Sequence, residues 1–181
     1  ISDQFHGGMF YGKSAMMHMG RYVNGLAEAA HRHGARIWED APVTGRRRDG
    51  TGWLIETPKG AIRAERVIAA TNAYSNSVPK APLDFFRKRI ISVGSFIVAT
   101  RPLSAAEIAA TLPGNRTYVT SMNIGNYFRL SPDNRLIFGG RARFSATSDQ
   151  SSDAKSGKVL RAALTGMFPQ LSGTELDYCW G

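Results

Sequence analysis

The stretch from residue 43 to residue 70 restricts the fold more than any other part of the chain. Short strand-forming runs follow one another there, separated by turn residues. Val43 to Arg48 stops at Asp49-Gly50, a pair suited to the left-handed backbone of a tight hairpin turn. Trp53-Leu-Ile-Glu-Thr57 follows, then Pro58-Lys-Gly60, and Ala61-Ile-Arg-Ala64 pairs back. Runs this short, joined by turns this tight, predict an antiparallel three-strand meander. Val67-Ile-Ala-Ala70 is different in kind. It is continuously apolar, the pattern of a strand buried on both faces, and it ends in the small, polar Thr71-Asn-Ala-Tyr-Ser75.

A helix is expected before this meander. Met19, Val23, Leu26 and Ala30 recur at helical spacing, which predicts a helix over 15–34 with Ser14 as N-cap and Gly34 as stop. Met16, Met17 and Met19 read as core filler. Ala35-Arg-Ile-Trp-Glu39 reads as a short strand. After the meander the character changes at Val78-Pro-Lys-Ala-Pro82, a natural crossover between domains. Ile90 to Thr100 predicts a long strand, interrupted at Gly94. Ser104-Ala-Ala-Glu107 is a capping box opening a short helix that stops before Pro113. Strands are expected at 118–122, 126–130 and 135–139, with Ser131-Pro-Asp-Asn134 as the turn between the last two. Residues 145–153 read as a polar loop. Ala154 to Phe168 predicts a helix that buries Val159, Leu160, Ala163, Leu164 and Met167 and ends at Pro169. Leu176-Asp-Tyr-Cys-Trp180 reads as a final strand.

Composition narrows the function. Of 181 residues, 43% are hydrophobic, 10% aromatic and 20% charged, as in a folded soluble protein rather than a disordered one. No apolar run is long enough to span a bilayer, and Ile1-Ser-Asp-Gln-Phe-His6 does not resemble a signal peptide. The missing initiator Met suggests a trimmed chain. A single cysteine, Cys179, excludes an internal disulfide and a cysteine-based zinc site, and it fits a reducing, cytoplasmic compartment. His31 and His33 lie two apart on a helix and face different ways, so no metal site is expected. The net charge of +9 and the pI of about 10.1 raise the question of nucleic acid. Apart from Arg46-Arg47-Arg48 and Arg87-Lys88-Arg89, however, the basic residues are scattered, and neither run sits on a nucleic-acid-binding motif. A basic surface, or positive charge near an anionic cofactor or substrate, is the simpler expectation.

No catalytic motif is legible from residue types: there is no nucleophile elbow, Walker loop, zinc motif or G-x-G-x-x-G after a strand. The order of blocks is more informative. Gly25-Leu-Ala-Glu-Ala-Ala30 precedes Gly34-Ala-Arg-Ile-Trp-Glu-Asp-Ala-Pro-Val43, and Arg66-Val-Ile-Ala-Ala-Thr-Asn-Ala-Tyr74 follows. Ile91-Ser-Val-Gly-Ser-Phe-Ile-Val-Ala-Thr-Arg-Pro-Leu103 comes next, then Asn126-Tyr-Phe-Arg-Leu-Ser-Pro-Asp-Asn-Arg-Leu-Ile-Phe-Gly-Gly140. Phe168-Pro-Gln-Leu171 and Tyr178-Cys-Trp-Gly181 complete the set. This ordered set resembles the FAD-dependent oxidoreductases of the D-amino-acid oxidase superfamily, in the branch of glycine oxidase, sarcosine oxidase and gamma-glutamylputrescine oxidoreductase.

The resemblance implies a mixed α+β fold, with part of an FAD-binding lobe and a substrate lobe on a large antiparallel-rich sheet flanked by helices. Residues 15–77 would belong to the FAD lobe, residues 1–14 and 78–175 to the substrate lobe, and 176–181 would begin a return to the FAD lobe. The family's pyrophosphate-binding glycine turn and its flavin-facing C-terminal loop would lie outside this chain, which should then turn nothing over alone. Val43 matches a position whose backbone pairs with adenine, though it serves equally as an ordinary strand valine. Ala70, Thr71 and Asn72 match the strand end that approaches the dinucleotide, and small residues there let the backbone come close; they also suit a plain turn. Tyr127 matches an active-site tyrosine, or else a core aromatic. Arg129 would share its face and could pair an anionic substrate group, while a solvated arginine is the simpler reading. His6 and Tyr11 are lesser candidates, and no catalytic base stands out. The implied partner is a small amine or amino acid, oxidised to an imine. The alternative of another class is a non-catalytic basic interaction domain.

Overall fold

The computed structural model describes residues 3–76, 85, 89–91, 93–123, 125–143 and 150–181. The Val78 to Pro82 crossover and most of the 145–153 loop lie outside these residues. The chain is mixed α+β and divides into two compact units: Met17–Ser92, and Val93–Gly181 together with Ile1–Met16.

The smaller unit starts with helix α1, Met19–Arg32. Ser14 is not its cap. The His18 ring accepts the Arg21 N–H at 3.3 Å, and residues before it follow an irregular path with Ser14 N–H on the Tyr11 carbonyl. The C-terminus closes as expected. Gly34 adopts φ +90°, its N–H reaches the His31 carbonyl, and the Ala35 N–H reaches the Ala30 carbonyl. That pair of bonds needs a left-handed residue at Gly34. The meander forms as strands β1 (Gly45–Asp49), β2 (Gly52–Thr57) and β3 (Gly60–Ala64), all antiparallel in the order β1-β2-β3. Trp53 sits opposite Arg48, and the guanidiniums of Arg48 and Arg46 lie 4.2 and 5.1 Å from its ring centre.

Further expectations fail here. Residues 35–39 and 67–70 are not strands, and α1 buries none of its residues. Val67 and Ile68 are exposed, as are Met16, Met17 and Met19. An apolar run becomes a strand only when neighbours take its N–H and C=O groups, and none of the described residues do so here. The methionines likewise have no core to fill.

The larger unit is built on β4 (Gly94–Pro102), β5 (Tyr118–Val119), β6 (Tyr127–Leu130), β7 (Arg135–Arg143) and β8 (Leu176–Trp180). Every pairing is antiparallel, in the order β5-β6-β7-β4-β8. β5 is shorter than the predicted 118–122: at the next pair the Thr120 N–H still reaches the Asn126 carbonyl, but the Asn126 N–H goes to the Thr120 hydroxyl and the ladder ends there. Helices α2 (Ala105–Thr111) and α3 (Gln150–Met167) complete the unit. Ser104 and Glu107 form the predicted capping box.

One face of the sheet carries the core. Phe96, Val98, Phe128, Leu130, Leu136 and Phe138 pack with Leu160, Leu164, Met167, Phe168 and Leu171. Phe128 stacks between Tyr118 and Phe138 at 5.2 and 5.7 Å and meets Phe168 edge-on. Burying such a side chain contributes about 1.5–3 kcal/mol. Val159 is the exception to the predicted helix face: it is exposed, one position round the helix from Leu160.

Candidate substrate-binding face

Strand alternation puts every second residue of the large sheet on the face away from this core. Cross-strand register aligns Val119, Tyr127, Gly139, Ile97 and Trp180 in one row across all five strands. A second row runs Arg129, Ile137, Ala99 and Tyr178. The core residues Phe128 and Leu130 are 3% and 7% exposed, while Tyr127 and Arg129 are half-buried, so the expected sharing of faces holds.

Tyr127 is held closely. Its ring lies over Gly139, its partner on β7, and a Cβ built at residue 139 would overlap the ring carbons. The ring thus crosses a whole strand, and its hydroxyl reaches Ser95 on β4, with Oη and Oγ 2.8 Å apart. Asn126, just before β6, is buried and donates to the Gly139 carbonyl at 3.2 Å, which fixes β6 against β7. Among the described residues the Arg129 guanidinium makes no hydrogen bond or ion pair. Sequence reasoning had not singled out Ser95, Gly139 or Asn126. The glycine pair inside an otherwise apolar strand was the available signal, since a strand glycine often marks a close approach.

Two arginines elsewhere in this unit are fully engaged. Arg135 donates to Asp133 at 2.8 Å, to Asp177 and to the Thr100 carbonyl, bracing the end of the sheet. The bonds to Asp177 and then to Asp133 raise the Arg135 pKa, while Ser131 and then Arg135 lower that of Asp133. Arg101 grips Glu107 with two hydrogen bonds, of 2.7 and 3.1 Å. Arg101, with help from Ser104, pulls Glu107 down to about 2. These are structural clamps; Arg129 has no such partner among the described residues.

In the smaller unit, the Val43 backbone N–H and C=O are unpaired among the described residues, and its side chain is exposed. A free edge of this kind suits a heteroaromatic ring such as adenine. Thr71 and Asn72 lie in a tight turn. Asn72 has φ +50°, Thr71 Oγ1 lies 2.6 Å from Ser75 Oγ, and Ser75 Oγ donates to the Asn72 carbonyl at 2.8 Å. Ser75 is buried, the Thr71 carbonyl accepts the Tyr74 N–H, and Ala70, Thr71 and Asn72 are exposed. His6 and Tyr11 are exposed, and Cys179 is half-buried against the core. Among the described residues no group of three His, Cys, Asp or Glu could hold a metal ion, and no helix is long and apolar enough to cross a membrane.

A family model described as FAD dependent oxidoreductase (DAO) matches residues 1–181. The chain belongs to the DAO family. A probable oxidoreductase OrdL of Haemophilus influenzae is 35% identical over 179 residues, 99% of this chain and 40% of the relative. The gamma-glutamylputrescine oxidoreductase of Escherichia coli is 28% identical over 179 residues, with the same coverage. Glycine oxidase from Geobacillus kaustophilus shares the fold, with a TM-score of 0.62 at 21% identity over 87% of this chain and 40% of its own. The chain therefore spans about 40% of the length of each of these two curated relatives. A whole-chain DAO match does not favour the alternative of a basic interaction module.

Proposed function

We propose that the full-length protein is an FAD-dependent oxidoreductase of amines or amino acids, and that the open face of the large sheet contacts its substrate. The observation that carries the substrate reading is Arg129: a half-buried guanidinium without a partner among the described residues, one row from Tyr127, on a face that the core does not use. Such a cation suits a substrate with a carboxylate, which a guanidinium can grip with two hydrogen bonds. The Escherichia coli relative is named for gamma-glutamylputrescine, an amine of this general kind.

Val43 and the Ala70 to Asn72 turn would hold FAD by backbone contacts. When bound, FAD would supply the redox chemistry: the carbon bearing the nitrogen loses a hydride, the nitrogen loses a proton, and water hydrolyses the imine. The task of this chain is to orient the amine. Its 181 residues hold no glycine-rich phosphate turn, so alone they should bind FAD poorly and turn nothing over.

The test uses the full-length protein. It should purify yellow, or take up FAD on reconstitution, and oxidise an amine bearing a carboxylate. A colourless protein that takes up no FAD sinks the proposal. Arg129→Ala should raise KM about tenfold or more for a carboxylate-bearing amine and leave an amine without that group unaffected. Equal effects on both substrates would take Arg129 out of substrate binding.

A further inference from the structure

The Tyr127 hydroxyl is anchored by a residue two strands away. β7 lies between β6 and β4, so Tyr127 reaches Ser95 only because residue 139 lacks a side chain. A tyrosine standing up from the sheet would sweep its hydroxyl through a wide arc. Laid over Gly139 and tied at 2.8 Å to Ser95, it has one position. We infer that Ser95 and Gly139 are positioning residues that fix the Tyr127 hydroxyl for a hydrogen-bonding group of the substrate. This rests on the proposed reading of the open face as substrate-binding.

The pair carries two O–H hydrogens and the mutual bond uses one, so one donor and several lone pairs remain for a ligand. Ser95 is exposed and near the start of β4, so losing its hydroxyl opens no cavity. Gly139 is buried in the middle of the sheet, and a methyl group there must displace the ring. Ser95 thus acts through Tyr127, and this predicts a pattern of coupling between substitutions that an independent structural role would not give.

The experiment is a double-mutant cycle in the full-length, FAD-loaded protein, with steady-state kinetics on its amine substrate and a melting temperature for each variant. Ser95→Ala should raise KM about two- to tenfold, one neutral hydrogen bond lost, with kcat nearly unchanged and melting within about a degree or two. Tyr127→Phe should raise KM at least as much. Ser95→Ala made in the Tyr127→Phe background should add nothing, because the tie is already gone. Ser95→Thr, which keeps a hydroxyl, should restore KM toward the wild-type value. Gly139→Ala should mimic Tyr127→Phe in KM if it folds; the Ser95 cycle decides the matter if it does not. Wild-type KM in Ser95→Ala, or a Ser95→Ala effect that persists undiminished without the Tyr127 hydroxyl, overturns the tether while leaving the oxidoreductase reading standing. A full-length protein that takes up no FAD overturns both.

Discussion

The two units are held together in different ways. Every buried apolar side chain among the described residues lies in the unit of the large sheet, from Phe96 to Leu171. The unit of α1 and the small sheet buries none; its half-hidden contacts are hairpin ladders, the Trp53 stack and exposed ion pairs such as Arg63–Asp49. The large-sheet unit is stable by exclusion of water, which scales with area. The small one rests on contacts worth a few tenths of a kcal/mol to about 1 kcal/mol each. The face proposed to bind substrate lies on the former, where the packed sheet holds the Tyr127 ring over Gly139.

Substitution on each side should expose this contrast most sharply. Phe138→Ala removes a fully buried ring that stacks on Phe128 and should cost about 3–5 kcal/mol in denaturant unfolding. Leu26→Ala on the exposed face of α1 should stay within about 0.5 kcal/mol. Comparable losses at both sites would break the comparison. A smaller effect is expected inside the small sheet. Trp53→Ala releases Arg46 and Arg48 and should cost about 1 kcal/mol, seen as faster amide exchange in β1 to β3 with the large sheet unchanged. Faster exchange throughout the large sheet would show that the two units unfold as one.

The smallest effect concerns acid. Glu107 is lowered from its ordinary 4.5 to about 2, by the Arg101 hydrogen bonds first and then by Ser104. Its folded value lies below its unfolded one, so its contribution is complete above about 4.5 and disappears as pH falls through about 2. Glu107→Gln should therefore flatten the acid limb of stability across that window, and salt should shrink the difference. An unaltered acid limb would mean that solvent already screens the pair.

Much of the larger unit was legible in advance because its signals are local or strictly periodic. The Ser104–Glu107 box caps α2 through bonds between residues three apart, and the alternation Tyr127, Phe128, Arg129, Leu130 sorts itself onto two faces by the strand period alone. The errors came where partners are distant. Val67 to Ala70 has the composition of a buried strand, but burial depends on neighbours that a local pattern does not specify. His18 caps α1 although histidine is not a preferred cap, since ring geometry there decides over propensity. At the candidate site, Tyr127 and Arg129 were legible as a pair, whereas the Ser95 tie joins residues 32 apart across an intervening strand and leaves no trace in either local sequence.

The position of the triple arginine has one more consequence. Arg46, Arg47 and Arg48 all lie on β1, an edge of the small sheet. Edge strands invite a second chain to add itself, backbone to backbone. Antiparallel pairing of two copies along β1 would bring the two backbones to strand spacing, about 4.8 Å, with Arg46 and Arg48 of each copy on one face and Arg47 on the other, so that like charges meet across the pair. The basic run that first raised the question of nucleic acid thus also makes this edge a poor template, and it discourages the unit with the least core from polymerising through its own strands.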